Sequence, residues 1–296
     1  MVRVTSTDRR AALRMGAGLV AGGAFAAGCS PSGSSAGPVS GSSSAGSVSG
    51  VPPGSAPPGS SPSGSASGAG ARDTRPAPES RDPAHPLTAP GPRAFPGQPV
   101  QITHGPRDRP RVALTFHGQG EPALAEALLG EAERHGARVT VLAVGTWLDE
   151  HPGLARRILD GGHDLGNHTH RHLAVNAMSE AEARSEIDEC AVRLKRLTGS
   201  VGTWFRPSRA ARASPLVERL ARAAGYPHVL SYDVDSLDFT SPGGPAVTAN
   251  VLRAIRAGSV VSLHFGYADT LAALPAVLDE LARRGLRAVT TTELIG

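Results

Sequence analysis

The stretch RVALTFHG, residues 111–118, is a run of apolar and β-branched residues that ends in a histidine and a glycine. Such a run predicts a buried strand over Val112–Phe116, which places His117 just beyond its carboxyl end. The residues that follow, Ala123–His135, repeat apolar positions at helical spacing and predict a helix. A buried strand followed directly by a helix is the building unit of a parallel α/β sheet.

The same alternation of strands and helices continues to the end of the chain. Further strands are predicted at Arg138–Val144, Asp164–Gly166, Thr203–Phe205, His228–Ser231, Ser259–His264 and Leu286–Val289. Further helices are predicted at Leu154–Leu159 and Glu180–Leu197, and a last one has an apolar stripe at Leu271, Leu274, Leu278 and Leu281. This order indicates an α/β fold, a distorted (β/α) barrel of about seven strands, in which the carboxyl ends of the strands converge on one mouth.

Polar and titratable side chains follow five of these predicted strands. They are His117, His168, His172, Arg206, Asp235, Asp238 and His264. Any one of them alone is typical of a surface loop, but five strand ends that converge on one mouth predict a functional site. Within that set, His168 and His172 stand four residues apart. On a helical turn this spacing puts two imidazoles on one face, where they suit a divalent metal such as zinc.

The order of these residues resembles that of the NodB-like polysaccharide deacetylases, family 4 of the carbohydrate esterases. The segment GNHTHRH, residues 166–172, resembles the metal-binding HTxxH motif of that family. LTF at 114–116 matches the approach to its TFDDG motif, and FRP at 205–207 resembles the start of RxPY. DSLDF at 235–239 resembles DxxDW, and SLH at 262–264 resembles LxH. The resemblance implies a NodB-like barrel.

The resemblance also implies a role for each matching residue. In that family a divalent metal held by one Asp and two His polarises an acetamide carbonyl, an Asp acts as the base, and a His protonates the leaving amine. His168 and His172 would therefore be metal ligands, and His264 the general acid. Asp238 would adjust the pKa of His264, and Arg206 would position the base.

The sequence departs from the family at the acid pair of TFDDG. His117 stands where the family has its base, and Gly118 stands where it has the metal-ligand Asp. His117 can be a third ligand in a three-histidine, zinc-type site, or it can be the base, with the metal held by His168, His172 and water or Glu121. The third alternative is a site that has lost its metal. Because Gly118 offers no side chain, we expect the three-histidine site.

Two functions follow from these matches and departures, and a hydrolase that acts on some other amide stays open as a third, because no residue in the sequence identifies a sugar subsite. The first is a metal-dependent hydrolase that removes N-acetyl groups from a cell-envelope or extracellular polysaccharide such as peptidoglycan. Retention of the two ligand histidines and of the Asp238 and His264 pair favours this enzyme. The alternative is a non-catalytic envelope lipoprotein that binds glycan in the same cleft, and the missing ligand at Gly118 favours it.

The first hundred residues predict export and tethering. Residues 1–28 combine Arg9-Arg10 with an Ala/Gly-rich apolar run and predict a lipoprotein-type signal peptide, exported by the twin-arginine route. Cys29 is the predicted lipid attachment site, which would hold the protein on the outer side of the cell membrane. Residues 29–100, rich in Gly, Ser and Pro, predict a disordered linker, and residues 101–296 the catalytic domain.

The basic isoelectric point of 9.7 does not indicate a nucleic-acid partner. Residues 111–296 contain 20 Arg and Lys against 21 Asp and Glu, so the basic excess lies before the folded domain. A domain of balanced charge lacks the basic surface that binds a phosphate backbone. The predicted partner is instead a polysaccharide with N-acetyl sugars.

Overall fold

The structure, a computed structural model, describes residues 89–296. The strands are β1 (Gln101–Ile102), β2 (Arg111–Gly118), β3 (Thr140–Ala143), β4 (Asp164–Asn167), β5 (Val229–Leu230), β6 (Val234–Asp235), β7 (Val260–His264) and β8 (Arg287–Ala288). The helices are α1 (Pro122–Arg134), α2 (Gly145–Glu150), α3 (Gly153–Asp160), α4 (Glu180–Thr198), α5 (Pro215–Ala223), α6 (Gly244–Ala254), α7 (Ala268–Arg283) and α8 (Thr291–Ile295). Within this range, no helix is both long enough and apolar enough to span a bilayer.

The sheet is parallel and curls into a distorted barrel, which confirms the predicted fold class. Its central strands follow the order β4-β3-β2-β7-β6, β8 pairs with the start of β2, and β1 pairs with β5. Phe205 joins these two groups by bridging Asn167 of β4 and Val229 of β5. On the other side of β1, the Gly105 amide donates to the Gly258 carbonyl just before β7 at 2.8 Å.

The longer predicted elements agree with the structure, and so do the short strands β4, β5 and β8, but three other short elements differ. The helices predicted at Ala123–His135, Leu154–Leu159 and Glu180–Leu197 are confirmed to within one residue at each end. The strand predicted at Thr203–Phe205 is only an isolated bridge at Phe205, and β1 and β6 were not predicted. Two-residue strands form because distant backbone groups meet them, so their own sequence carries almost no periodic signal.

The alternation of side chains along β2 decides what enters the barrel mouth. Val112, Leu114 and Phe116 pack in the apolar cluster between the sheet and its surrounding helices. Successive side chains in a strand point to opposite faces, so Ala113 packs inside the barrel and His117 points into its mouth. The alternation of side chains along β2 thus places His117, the first residue of the candidate site, at the barrel mouth.

The folded domain begins earlier than the sequence predicted. The Ala89 amide donates to the Thr198 carbonyl at 2.9 Å, and Phe95 is buried with its ring stacked on Trp204 at a centroid distance of 5.4 Å. The last part of the predicted linker, residues 89–100, therefore packs on the domain, because Phe95 is a large apolar side chain within a stretch rich in Pro and Gly. Residues 29–88 of that linker, the signal peptide at 1–28 and Cys29 lie outside the described residues.

Candidate active site

Four side chains at the barrel mouth form a continuous line of hydrogen bonds. His117 and His264 face each other across β2 and β7, and His117 Nδ1 lies 2.7 Å from His264 Nε2. His264 Nδ1 lies 2.6 Å from Asp238 Oδ1, and Arg206 NH1 lies 3.2 Å from His117 Nε2. We call this line, Arg206–His117–His264–Asp238, the polar relay.

The two ends of the polar relay determine where its protons lie. A carboxylate only accepts, so His264 carries its proton on Nδ1 and offers a lone pair at Nε2. His117 then donates from Nδ1 to His264, and its own Nε2 accepts from the guanidinium of Arg206, which only donates. Both imidazoles are neutral in this arrangement, and each has both ring nitrogens occupied.

Asp238 is held rigidly at one end of the relay. It is fully buried, and its second oxygen, Oδ2, accepts from the backbone amide of His264 at 2.8 Å and from the Thr270 hydroxyl at 2.6 Å. Three charge-assisted hydrogen bonds therefore satisfy this carboxylate and orient the ring of His264.

Arg206 is the other end, and it is a buried cation. Its guanidinium donates to the carbonyls of Leu230 and Ser231 at 3.2 and 3.0 Å, and it has no salt bridge to any residue of 89–296. Burial lowers the pKa of Arg206 to about 9. Burial also holds the pKa of His117 well below its usual value, and the neighbouring His168, His264 and Arg206 lower it further. His117 is therefore neutral near pH 7.

His168 and His172 lie on a loop rather than on a helical turn, which corrects the geometry expected from their spacing. Thr169 and His172 adopt the left-handed backbone conformation, with φ of 67° and 56°. The Thr169 amide donates to Asn167 Oδ1 at 2.8 Å, and buried Glu186 of α4 accepts from the backbone amides of His170 and Arg171. The loop places both imidazoles at the mouth by these local contacts.

The ring nitrogens of His117, His168 and His172 lie within 4.8 Å of one another, as the sequence predicted, and could hold a metal ion. His168 fits this role best: its Nδ1 is bound to the Arg206 carbonyl at 3.0 Å, while its buried Nε2 has no partner among the described residues. Burial is the main cause, and the charge of Arg209 the second, that lower the pKa of His172 to about 4. His172 therefore keeps its lone pair at neutral pH. A site of neutral imidazoles suits a zinc-type ion.

His117 fits the metal less well than the other two histidines. Its ring is stacked on that of His168, with centroids 4.2 Å apart and planes 29° apart. Because a ring-nitrogen lone pair lies in the ring plane, two stacked rings cannot both direct one at the same ion. To bind a metal with His168, His117 must turn and give up its contact with Arg206 or His264. Glu121 is exposed at the start of α1 and is not part of this group.

Gly118 is turned away from the site. A Cβ atom at this position would meet Val141 Cγ1 at 2.9 Å and Trp147 Cζ3 at 3.2 Å. A side chain at position 118 would therefore point into the layer between the sheet and the helices, on the face of β2 opposite to His117. A carboxylate side chain at this position would enter the core and would not reach the histidines.

The mouth opens into a cleft of about 490 Å³. Phe239 and Tyr267 flank His264, each with a ring centroid 5.7 Å from its own, and Phe239 is 47% exposed. Tyr232 and Arg209 also line the cleft, and so does Asp235, which stands outside the relay and accepts from the Leu237 amide. Tyr232 and Tyr267 were not predicted from the sequence, although Tyr232 directly follows a predicted strand, which is a usable signal.

The sequence model of the polysaccharide deacetylase family matches residues 104–229. A peptidoglycan-N-acetylglucosamine deacetylase of Bacillus cereus is 29% identical over 194 residues, which cover 64% of this chain and 90% of the relative. One from Listeria monocytogenes is 28% identical over 186 residues, 63% of this chain but only 39% of the relative. Among solved structures, a family 4 carbohydrate esterase pseudoenzyme from Bacillus anthracis shares the fold, with a TM-score of 0.63. It is 23% identical in sequence, and the match covers 67% of this chain and 70% of the pseudoenzyme chain.

Proposed function

Because this chain carries a polysaccharide deacetylase domain, we propose that it hydrolyses the N-acetyl groups of a cell-envelope polysaccharide. The observation that carries this proposal is the polar relay. It ends in a buried carboxylate and lies beside His168 and His172, the two proposed metal ligands. A cleft that only binds glycan needs no such connected line of proton donors and acceptors. The names of the similar peptidoglycan deacetylases support N-acetylglucosamine as the sugar.

The polar relay supplies both proton transfers of amide hydrolysis. The attacking water displaces the guanidinium of Arg206 from His117 Nε2, which takes a proton from that water, and His117 passes its Nδ1 proton to His264, whose charge Asp238 stabilises. The water oxygen bonds to the acetyl carbon, the carbon–nitrogen bond breaks, and His264 gives its Nε2 proton to the leaving amine. Acetate and the free amino sugar are the products. Both imidazoles are then neutral, and the starting arrangement returns when His117 loses its Nε2 proton to water and regains one at Nδ1.

The metal would contribute charge to the same reaction. His168 and His172 would hold it, and when bound it would polarise the acetamide carbonyl. We propose His117 as the base rather than as a third ligand, because its ring is stacked on that of His168 and the two rings cannot both direct a lone pair at one ion. The flanking rings of Phe239 and Tyr267 offer apolar faces for the sugar beside His264.

Acetate release from an N-acetylglucosamine oligomer tests this function. We expect the purified protein with a divalent ion to release acetate, and His264→Gln to lower the rate by about 10² to 10⁴, since it removes the group that protonates the amine. Val192→Ala, at an exposed position on α4, is the matched control and should leave the rate unchanged. Binding of the oligomer without acetate release would instead support the glycan-binding lipoprotein, which the missing ligand at Gly118 favours.

We also propose that the protein is exported and lipid-anchored at Cys29. The apolar run that ends directly before Cys29 and the paired Arg9-Arg10 support this location. Cys29→Ala should release the protein from the membrane fraction or block its processing. A variant that remains processed and membrane-bound would exclude Cys29 as the anchor.

A further inference from the structure

A second cleft, of about 380 Å³, lies at the end of the barrel opposite to the active-site mouth. Four arginines line it: Arg93, Arg111, Arg138 and Arg287. Arg111 and Arg287 are the first residues of β2 and β8, and Arg138 lies two residues before β3. Because the strands are parallel and their carboxyl ends form the mouth, these starting residues belong to the far end of the barrel. We call this site the arginine cleft.

The arginine cleft carries more positive charge than its own residues neutralise. Glu293 is the acidic side chain that lines it, and its carboxylate pairs with Arg138 at 2.5 Å. Arg111 donates only to the Glu293 carbonyl, at 3.1 Å, and the side chain of Arg287 has no hydrogen bond or ion pair with the rest of residues 89–296. Even with a carboxylate at Gly296, which also lines the cleft, guanidiniums exceed acids by two.

Guanidinium groups in such an arrangement favour phosphate as a partner. Each presents a planar set of donors that matches two phosphate oxygens, and Arg is less strongly hydrated than Lys. Arg93 is also fixed over the Phe95 ring at 5.3 Å, so it is partly ordered before any ligand arrives. Phosphate groups presented side by side would engage several of these arginines at once.

The chain enters the domain at this same end. Ala89 and Pro90 line a neighbouring cleft that shares Arg138 and Glu293 with the arginine cleft. The stretch of about 60 residues from Cys29 to the domain is predicted from its composition to be a linker, and a Gly/Ser-rich linker of that length has a mean reach of roughly 40 to 45 Å. A lipid at Cys29 would therefore keep a membrane surface within reach of this face.

We propose that the arginine cleft docks the domain on an anionic phospholipid surface, with the active-site mouth directed away from the membrane. The polysaccharide would then reach His117 and His264 from the outer side. This inference does not depend on the deacetylase chemistry, because the arginine cleft and the relay share no residue.

Co-sedimentation with vesicles tests this docking. The full chain carrying Cys29→Ser, so that no lipid is attached, is mixed with phosphatidylglycerol–phosphatidylcholine vesicles and with phosphatidylcholine vesicles alone. The ratio of the affinities for these two kinds of vesicle measures the electrostatic contribution to membrane binding. Each arginine near an anionic surface contributes about fivefold, so Arg93→Gln/Arg287→Gln should lower the ratio about 25-fold. High salt should lower it as well.

The matched control removes the same charge elsewhere. Arg219→Gln/Arg222→Gln changes two exposed arginines of α5 that do not line the arginine cleft, and it should leave the ratio within about twofold of the parent. Equal losses in the two double variants would overturn the proposal, since net charge alone would then explain binding. Equal binding to both kinds of vesicle would overturn it too. So would displacement by millimolar inorganic phosphate at constant ionic strength, which would indicate a small-phosphate pocket.

Discussion

Arg206 is the residue on which the electrostatics of the active site depend. A buried guanidinium that donates to carbonyls and has no salt bridge among residues 89–296 makes further positive charge nearby unfavourable. His117 therefore stays neutral and keeps a lone pair directed at Arg206. At the other end, Asp238 favours positive charge on His264. The relay is thus polarised along its length, and a proton that enters at His117 is drawn toward His264.

Asp238→Asn tests that polarisation. An amide NH₂ facing His264 Nδ1 would force the proton of His264 onto Nε2, and His117 would then present an N–H to the donor Arg206. We expect acetate release to fall about 10² to 10⁴-fold while metal content stays unchanged. Asp279→Asn is the matched control, because Asp279 is an exposed aspartate of α7 that does not line this cleft. Similar loss in both variants would contradict the assigned direction of the relay.

Gly118→Asp tests whether the missing ligand can simply be restored. The new side chain would press on Val141 and Trp147 and bury a carboxylate in an apolar layer. We expect the free energy of unfolding to fall by about 1 to 3 kcal/mol, without tighter metal binding. Gly153→Asp is the control, since a Cβ atom there has no neighbour within 4 Å. Tighter metal binding by Gly118→Asp, measured by titration, would show that this strand end can turn toward the histidines.

At the scale of elements, α4 holds the loop that carries the ligand histidines. The helix begins with a capping box of Ser179 and Glu182, which fixes its first turn. From its second turn, buried Glu186 reaches back to the backbone of the loop, accepting from His170 and Arg171 at 3.0 and 2.8 Å. The loop needs such support because two of its residues are in the left-handed conformation.

Glu186→Ala should loosen that loop. Two backbone amides would lose their acceptor, and His168 and His172 would be less well placed for one ion. We expect metal affinity to fall about 10- to 100-fold, as is usual when the groups that orient metal ligands are removed. Titration with zinc, alongside Glu180→Ala at an exposed position of the same helix, measures the effect. Unchanged affinity in Glu186→Ala would show that the loop holds its shape without α4.

The sequence predicted the elements that carry their own signal. Helices α1, α3 and α4 have apolar periodicity over two turns or more, and β2 and β7 are continuous apolar runs. The polar residues at strand ends were therefore placed at one mouth correctly. The pairing register of β2 with β7, which brings His117 against His264, follows from hydrogen bonds between residues almost 150 positions apart. Local sequence contains no information about that contact, nor about the stacking of His117 on His168.

At the scale of the whole molecule, the two ends of the barrel carry different kinds of residues. The mouth bears the relay and aromatic residues, whereas the opposite end bears the arginine cleft and the point where the chain enters. Composition alone placed the start of the domain at residue 101, because residues 89–100 are rich in Pro and Gly. The packing of Phe95 on Trp204 depends on a partner more than a hundred residues away, which composition cannot reveal.

Limited proteolysis tests the corrected boundary. Burial of Phe95 and the hydrogen bond from Ala89 to Thr198 should protect the chain from residue 89 onward. We expect a resistant fragment that begins at or before residue 89, identified by its mass and amino-terminal sequence. Phe95→Ala should expose the segment and yield fragments that begin after Arg93. A wild-type fragment that begins near residue 101 would show that this segment does not stay packed.

The most direct test of the proposed chemistry compares His117→Ala with His168→Ala. Metal content and acetate release from an N-acetylglucosamine oligomer are measured on the same preparations. With His117 as the base, His168→Ala should lose both the metal and the activity. His117→Ala should keep its metal and lose about 10² to 10⁴-fold in rate. Loss of metal from His117→Ala as severe as from His168→Ala would instead make His117 a ligand and contradict the relay.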